Sequence, residues 1–153
     1  MDHGADQFKP NTTVAGIIVC NGKYLLVEEL ENNQSVYNQP AGHLEANENL
    51  ITAVKREVLE ESGLSIDPDY LSGIYYFHRP DINLYFLRFC FVFELNECLE
   101  SAPQDDEIIA THWLTYDEIV AKTSQHRSPM VKDCIDDYLA GKRIELSTLK
   151  SNL

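Results

Sequence analysis

Three glutamates, Glu57, Glu60 and Glu61, are crowded into five consecutive positions of the sequence. On an α-helix, residues three and four apart lie on the same face, so these carboxylates would form one acidic ridge. Like charges at this spacing destabilise a helix unless an opposite charge compensates them. Hard divalent cations prefer carboxylate oxygens, and Arg56 could pair with Glu60 at i,i+4. The alternative for this spacing alone is a solvated acidic helix face.

The residues on either side of the ridge distinguish these alternatives. Segment 42–64, GHLEANENLITAVKREVLEESGL, has the order Gly, five residues, Glu, seven residues, Arg-Glu-aliphatic-x-Glu-Glu-x-Gly-aliphatic. The matching positions are Gly42, Glu48, Arg56, Glu57, Val58, Glu60, Glu61, Gly63 and Leu64. This segment resembles the signature of the Nudix hydrolases at every specified position.

The resemblance implies a specific chemistry. Nudix enzymes cleave nucleoside diphosphates linked to another group, with Mg²⁺ as cofactor and Mn²⁺ as an alternative. In the family, acids at the positions of Glu57, Glu60 and Glu61 bind metal, together with the backbone carbonyl at Gly42, and an arginine at the position of Arg56 orients the acids. Metals neutralise phosphate oxygens and lower the pKa of bound water.

A second acidic segment, PQDDE, ends at Glu107. Nudix proteins often carry an additional metal-binding or basic carboxylate near this position, and Glu107 is the predicted residue. A solvated acidic loop is the alternative. The general base is left open between Glu57, Glu60 and an acid of this later loop.

Five further residues could contact a substrate: Tyr37, Gln39, His43, Arg88 and Arg127. The Tyr37 ring could stack on a ligand ring or pack in the core, and Gln39 and His43 could contact phosphate or serve a structural role. Arg88 interrupts an apolar run, so a buried anion is expected beside it, either phosphate or a core carboxylate. Arg127 precedes a helix N-terminus, where anions are favoured, although capping or surface pairing is the alternative.

The segments NQPAGHLEA, FLRF and RSP are similar to a bacterial phosphatase branch of the family. That branch releases orthophosphate from nucleoside di- and triphosphates and from hydroxymethylpyrimidine diphosphate, and it suggests a monomer. Phe77 and His78 could line a pocket for the ring of such a substrate. Pro80, 16 residues past Leu64, lies near the spacing of ADP-ribose pyrophosphatases, so an ADP-ribose or nucleoside triphosphate pyrophosphatase is an alternative. A non-catalytic ligand-sensing Nudix module is an alternative of another class.

The elements that position these residues are predicted as one α/β domain over 1–153, with a mixed β-sheet between helical layers and a tail after about 146. Runs 13–20 and 23–29 flank Asn21-Gly22, which favours a type I′ hairpin turn. A short extended piece covers 37–41. A helix over 47–62 is predicted with Asn47 at its N-cap, acids in its first turn, Gly63 at its end and a buried stripe at Ile51, Val54 and Val58.

Strands are predicted over 71–77, 84–95 and near 110–114. The second is largely apolar and is placed centrally, in a sheet covered on both faces. TYDE predicts a capping box with Thr115 at the N-cap. A final helix is predicted with Ser128 at the N-cap, Pro129 at the first helical position and Gly141 just past the end.

Composition excludes several classes of protein. The net charge of −13 repels nucleic-acid backbones, so duplex binding is not expected. No apolar run approaches the roughly 18 residues of a membrane span, and the N-terminus does not resemble a signal peptide. The four cysteines, Cys20, Cys90, Cys98 and Cys134, lack CxxC spacing and are expected to be reduced core thiols of a cytoplasmic protein. A disulfide or a zinc site is the alternative.

Overall fold

The computed structural model describes residues 3–153, in which four strands precede the first helix, three strands follow it, and two helices come last. In chain order the elements are β1 Asn11–Cys20, β2 Lys23–Glu31, β3 Gln34–Asn38, β4 Ala41–His43, α1 Leu50–Ser62, β5 Tyr70–Arg79, β6 Leu84–Glu94, β7 Ile108–Thr115, α2 Tyr116–Ala121 and α3 Met130–Leu139. Short 3₁₀ turns occupy Thr123–Gln125 and Leu146–Thr148. None of the helices within these residues is long and apolar enough to cross a membrane.

The strands of residues 3–153 form one mixed sheet. Its main order is β3-β2-β1-β6-β5, with β4 paired to β1 and β7 paired to β2. The β1–β6 pair is parallel, and the other pairs are antiparallel. One core cluster contains α1 residues, and the other contains α2 and α3 residues, so helices cover both faces of the sheet. The predicted α/β architecture is confirmed.

The strand predicted to be central, β6, lies between β1 and β5. Its second half is buried on both faces: Phe91 and Phe93 pack toward α1, whereas Cys90 and Val92 pack in the cluster that contains α3. Its first half is mostly exposed or partly exposed. The prediction therefore holds for the second half only, and the first half is free to line a cleft.

The first hairpin follows the prediction. Asn21 and Gly22 have φ angles of 47° and 73°, the positive pair that a type I′ turn requires, and Cys20 pairs directly with Lys23. This turn sets the register of β1, and β1 in turn carries both β4 and β6.

Helix α1 starts later than predicted. Asn49, not Asn47, is the N-cap, and its side chain accepts the Thr52 backbone N–H at 2.8 Å. Asn47 has a φ of 64° in the preceding loop, so the cap predicted there is wrong, and the first turn contains no acid. The end is as predicted: Gly63 has a φ of 75°, and its N–H donates to the Leu59 carbonyl at 2.8 Å.

The two C-terminal helices largely follow their predicted caps. Thr115 and Glu118 form the reciprocal capping box. In α3, Pro129 occupies the N-cap position in place of Ser128, although the Ser128 hydroxyl accepts the Met130 N–H at 3.2 Å. Gly141 lies past the end of α3 with a φ of 79°. Segment 126–129 is thereby fixed between β3 and α3, because the Arg127 N–H also donates to the Tyr37 carbonyl.

The expectation of four reduced thiols is wrong for two of them, because Cys20 and Cys98 form a disulfide with a Cα–Cα distance of 5.3 Å. The parallel pairing of β1 with β6 explains this contact: both strands end at the same edge, and the Leu95 N–H donates to the Val19 carbonyl. Cys90 and Cys134 are buried and free, as expected.

Candidate active site

Strand β4 and helix α1 come into close contact in the site at Gly42 and Glu57. Gly42 pairs with Val14 of β1, and a Cβ built on Gly42 would overlap the carboxyl group of Glu57. Only glycine therefore permits this contact. The sheet places the Gly42 backbone against the carboxylate of Glu57, the first glutamate of the ridge. The Gly42 backbone carbonyl and the Glu57 carboxylate are together called the cradle below.

Arg56 is the centre of the charge network around this cradle. Its Nε and Nη2 donate to the two carboxylate oxygens of Glu48 at 2.9 and 2.8 Å, and Nη2 also donates to the His43 carbonyl at 3.0 Å. Nη1 donates to Glu57 at 2.7 Å and to Glu60 at 3.5 Å. The predicted Arg56–Glu60 pair exists, but the bidentate pair with Glu48 is the stronger one.

Glu48 is a positioning residue to which the sequence assigned no role. Its Oε1 also accepts the Glu45 N–H at 2.9 Å, so it closes the loop between β4 and α1. Hydrogen bonds from Arg56 hold the pKa of the Glu48 carboxyl below its usual range. The same hydrogen bonds raise the pKa of Arg56, so this guanidinium stays charged.

Glu57 and Glu61 are 9% exposed and differ in their partners. Glu61 accepts the Ala41 backbone N–H at 2.9 Å, whereas Glu57 accepts from the guanidinium of Arg56 at 2.7 Å. Burial is the main cause that raises its pKa to about 8, and the charge of Glu57 adds to the effect. Burial also raises the pKa of Glu57, against the opposing hydrogen bond from Arg56. A divalent cation between these groups would oppose both shifts, because its charge stabilises the ionised carboxylates.

Glu60 differs from its two neighbours on the ridge. Its side chain is 46% exposed and is absent from the cleft lining. Its backbone carbonyl accepts the N–H groups of Gln104 and Asp105 at 2.8 and 2.9 Å. Helix α1 thereby holds the acidic loop that carries Glu107 at the edge of the cleft.

A cleft of about 510 Å³ opens in front of the cradle. Eight predicted site residues line it: Gly42, His43, Glu57, Glu61, Phe77, Arg88, Glu107 and Arg127. Five others lie outside its lining: Tyr37, Gln39, Arg56, Glu60 and His78. Within residues 3–153, no three acidic, histidine or cysteine side chains already converge as a metal cluster. The donors nonetheless fit a hard divalent cation, because the cradle and Glu61 offer only oxygen atoms.

Arg88 is 4% exposed, and within residues 3–153 its hydrogen bonds include no carboxylate. Its Nη2 donates to the amide oxygens of Gln39 and Asn38 at 2.9 and 3.3 Å. The core carboxylate proposed as one alternative for Arg88 is therefore wrong. Gln39 is itself buried and donates to the Val131 carbonyl at 2.7 Å, so its amide oxygen is held in position to accept from Arg88. A buried cation held by neutral groups leaves its charge for an anion in the cleft.

Arg127 is paired, which is the surface alternative given for it. It forms an ion pair with Glu29 and a second one with Glu31 at 3.4 Å. Glu31 also pairs with Arg79 at 2.9 Å. Burial raises the pKa of Glu29 above its usual range. The cleft lining includes three residues that the sequence did not predict: Glu29, Glu31 and Arg79. They were missed because the alternation of side chains along β2 and β5 does not show which face of the sheet lies toward α1.

For Tyr37 the core-packing alternative is confirmed, and the pocket role predicted for His78 is wrong. The Tyr37 side chain is 7% exposed and belongs to the core, with its ring 5.7 Å from that of His112, so it does not reach a ligand in the cleft. His78 lies on the opposite face of β5 from Phe77 and stacks on Tyr85 at 4.3 Å. Phe77 does line the cleft. For both Tyr37 and His78, the two-residue alternation of side chains along the strand points the ring away from the cleft.

The chain is similar to proteins that carry the same signature. Residues 10–134 match the sequence model of the NUDIX domain. "Phosphatase NudJ" of Shigella boydii is 41% identical over 142 residues, which cover 93% of this chain and 92% of that protein. "Phosphatase NudJ" of Escherichia coli K12 is 40% identical with the same coverage.

The fold agrees with these sequence matches. A solved NUDIX hydrolase from Nitrosomonas europaea superposes with a TM-score of 0.88 at 44% identity, over 94% of this chain and 98% of that one. Members of this family generally use divalent metal ions and act on small phosphate-containing substrates. With the signature, the fold and the full-length relatives in agreement, the chain belongs to the Nudix family and is a phosphoanhydride hydrolase.

Proposed function

We propose that this enzyme is a Mg²⁺-dependent phosphatase that hydrolyses nucleoside di- and triphosphates, or hydroxymethylpyrimidine diphosphate, and releases orthophosphate. Mn²⁺ is the expected substitute for Mg²⁺, because the two ions share carboxylate ligands. The observation that carries the proposal is the buried guanidinium of Arg88, which donates to neutral amides in the same cleft as the Gly42–Glu57 cradle. The phosphatases named NudJ, about 40% identical over nearly the whole chain, support the phosphatase activity.

Oxygen donors that line the cleft would hold the metal: Glu57, Glu61, Glu107 and the backbone carbonyl of Gly42. Glu60, the remaining predicted ligand, is exposed outside the lining and would have to turn toward the cleft to join them. When bound, the divalent ion neutralises phosphate oxygens and makes water a better nucleophile. Glu61 and Glu57 favour a cation of this kind because burial makes their charged forms costly.

Arg56 serves as a positioning residue. Its guanidinium lies between Glu48 and Glu57 and also contacts the His43 carbonyl, so one side chain joins α1 to the loop that follows β4. This contact holds the Glu57 carboxylate against Gly42 before any ligand arrives. Phosphoryl transfer requires mainly such positioning and charge compensation from the protein.

Arg88 would bind non-reacting phosphate oxygens from the sheet side of the cleft, and Arg127 would do so from its edge. Arg88 is already oriented by two amides, so little ordering is needed when phosphate binds. Arg127 must first exchange Glu29 and Glu31 for phosphate. The candidate general bases are Glu57, Glu60 and an acid of the 104–107 loop.

The test is incubation with Mg²⁺ and, separately, GTP, GDP, hydroxymethylpyrimidine diphosphate and ADP-ribose, with products identified by phosphorus NMR. Orthophosphate is expected from the first three substrates, and Glu57→Gln should abolish it. Pyrophosphate from GTP, or AMP from ADP-ribose, would replace the phosphatase with a pyrophosphatase of the same family. Ligand binding without turnover of any substrate would favour the sensing module.

A monomeric state and a cytoplasmic location remain predictions. Light scattering of the purified chain measures the first. Disulfides are rare in reducing compartments, so the thiol state of Cys20 and Cys98 in cells, measured by alkylation before lysis, bears on the second.

A further inference from the structure

One face of the β5–β6 hairpin forms a wall of the cleft. Alternate residues of the hairpin line it: Phe77 and Arg79 from β5, and Leu84, Phe86 and Arg88 from β6. Successive side chains on a strand point to opposite faces, so these five residues share one surface. The wall is apolar in its middle, and Arg88 lies at its inner end.

The apolar part of this wall contains a direct cross-strand ring pair. Phe77 pairs with Phe86, and their ring centroids are 5.4 Å apart with an interplanar angle of 21°. Ile82 and Leu84 extend the surface toward the hairpin tip and are 46% and 41% exposed. An open apolar surface beside convergent charged groups is typical of a binding pocket.

The distance from this wall to the metal-binding cradle can be read from the strand register. Arg88 pairs with Thr13 of β1, and Thr13 pairs with His43 of β4, next to Gly42. Phe86 lies two residues before Arg88 on β6. Phe86 is therefore two strand spacings across the sheet and two residues along a strand from His43, and these perpendicular offsets together give a distance of about 12 Å. An extended nucleoside diphosphate spans a distance of this order between its base and its terminal phosphate.

We propose that Phe77 and Phe86 form the subsite that receives the heterocyclic ring of a nucleoside di- or triphosphate, whose phosphates extend past Arg88 to the cradle. The inference rests on the proposed function and adds the residues that select a ringed substrate. The ring packs against the phenyl pair and is shielded there from water. Neither phenylalanine takes part in bond cleavage.

The opposite face of the same hairpin supplies a matched control. Tyr76 precedes Phe77 in β5, is 61% exposed, and stacks on Tyr85 away from the cleft. A change of Tyr76 to leucine alters the same strand and a similar amount of aromatic surface, but it leaves the cleft wall intact.

The first experiment compares Phe77→Leu, Phe86→Leu and Tyr76→Leu in Mg²⁺-dependent hydrolysis of GDP. Loss of a base–aromatic contact should raise KM for GDP on the order of ten-fold in the two phenylalanine variants, with kcat nearly unchanged. The Tyr76 variant should match the wild type. The inhibition constant of inorganic tripolyphosphate, which has phosphates but no ring, should be the same in all four proteins. An unchanged KM for GDP, or equal losses for GDP and tripolyphosphate, would overturn the inference.

A second measurement does not depend on turnover. Wild-type protein with ¹³C-labelled phenylalanine rings is titrated with GMP, and the Phe77 and Phe86 signals are assigned from the two leucine variants. Ring-current shifts of these two signals are expected, while the Phe8 signal should not move. Shifts without GDP hydrolysis would refute the proposed phosphatase and support the ring subsite. Absence of shifts at saturating GMP would refute the subsite, whether or not GDP is hydrolysed.

Discussion

The metal-free enzyme should become less stable as pH rises from about 5 to 8. Glu61 is the reason, because burial raises its pKa from 4.5 to about 8. Between these values the unfolded chain carries the ionised carboxylate while the folded chain keeps it protonated. The folded state then binds more protons, so the free energy of unfolding falls with rising pH.

The size of the effect follows from the same values. At about 1.36 kcal/mol per pH unit, the interval from 4.5 to about 8 corresponds to an upper limit of about 5 kcal/mol. The cleft is open to water, which reduces the desolvation, so about 2–4 kcal/mol is expected. For a chain of this size, each kcal/mol lowers Tm by roughly 2–4 °C. The melting temperature with chelator should therefore fall by about 5–15 °C between pH 5 and pH 8.

The assay is thermal unfolding by circular dichroism in a chelating buffer across this pH range. Glu61→Gln should flatten the slope, because glutamine can still accept the Ala41 N–H without bearing a charge. Glu60→Gln is the matched control: its side chain is exposed on the same helix, and the wild-type slope should remain. Saturating Mg²⁺ should restore stability at pH 8. A flat or rising profile in the metal-free wild type would refute the reasoning, as would an unchanged slope in Glu61→Gln.

Three further outcomes are expected. Gly42→Ala should abolish hydrolysis and lower the free energy of unfolding by about 1–3 kcal/mol, because the new Cβ displaces the Glu57 carboxylate. Wild-type activity in a folded Gly42→Ala variant would contradict this. Arg56→Lys should lower kcat more than ten-fold in initial-rate assays while Tm changes little, because an ammonium cannot replace the bidentate contact with Glu48. Equal kcat values in the variant and the wild type would show that Arg56 does not position the acids. Reduction of the Cys20–Cys98 disulfide, which spans 78 residues, should lower the free energy of unfolding by up to about 4 kcal/mol in urea titrations, with Cys20→Ser as the reductant-insensitive control.

Local chemistry made much of the fold predictable. Asn21-Gly22 requires two positive φ angles and Gly63 requires one, so each position has a specific sequence requirement that the structure confirms. The helix start was less determined, because Asn47 and Asn49 are equally suited to cap a helix. In the structure Asn49 is the cap, and Glu48 just before it accepts from Arg56, a contact that the local sequence does not show.

Long-range features were beyond the sequence. The Cys20–Cys98 contact exists because β1 and β6 run in parallel and end together, and pairing of these two strands is not encoded near either cysteine. The signature predicted the cradle at Gly42. It carried no information on the neutral amides that Arg88 contacts: Asn38 ends β3, and Gln39 lies in the β3–β4 connection, where it donates to the Val131 carbonyl of α3.

The alternation of the β5–β6 hairpin limits how this enzyme can be altered. Phe77 and Phe86 face the cleft, while their neighbours Tyr76 and Tyr85 stack on the outer face. Replacement of a wall residue changes only the local shape and polarity of the cleft, so redesign of substrate preference through this hairpin can leave the α1 carboxylates untouched. Insertion or deletion of a single residue in either strand reverses the two faces. Homologues and engineered variants should therefore tolerate substitutions in this hairpin far better than one-residue changes in strand length.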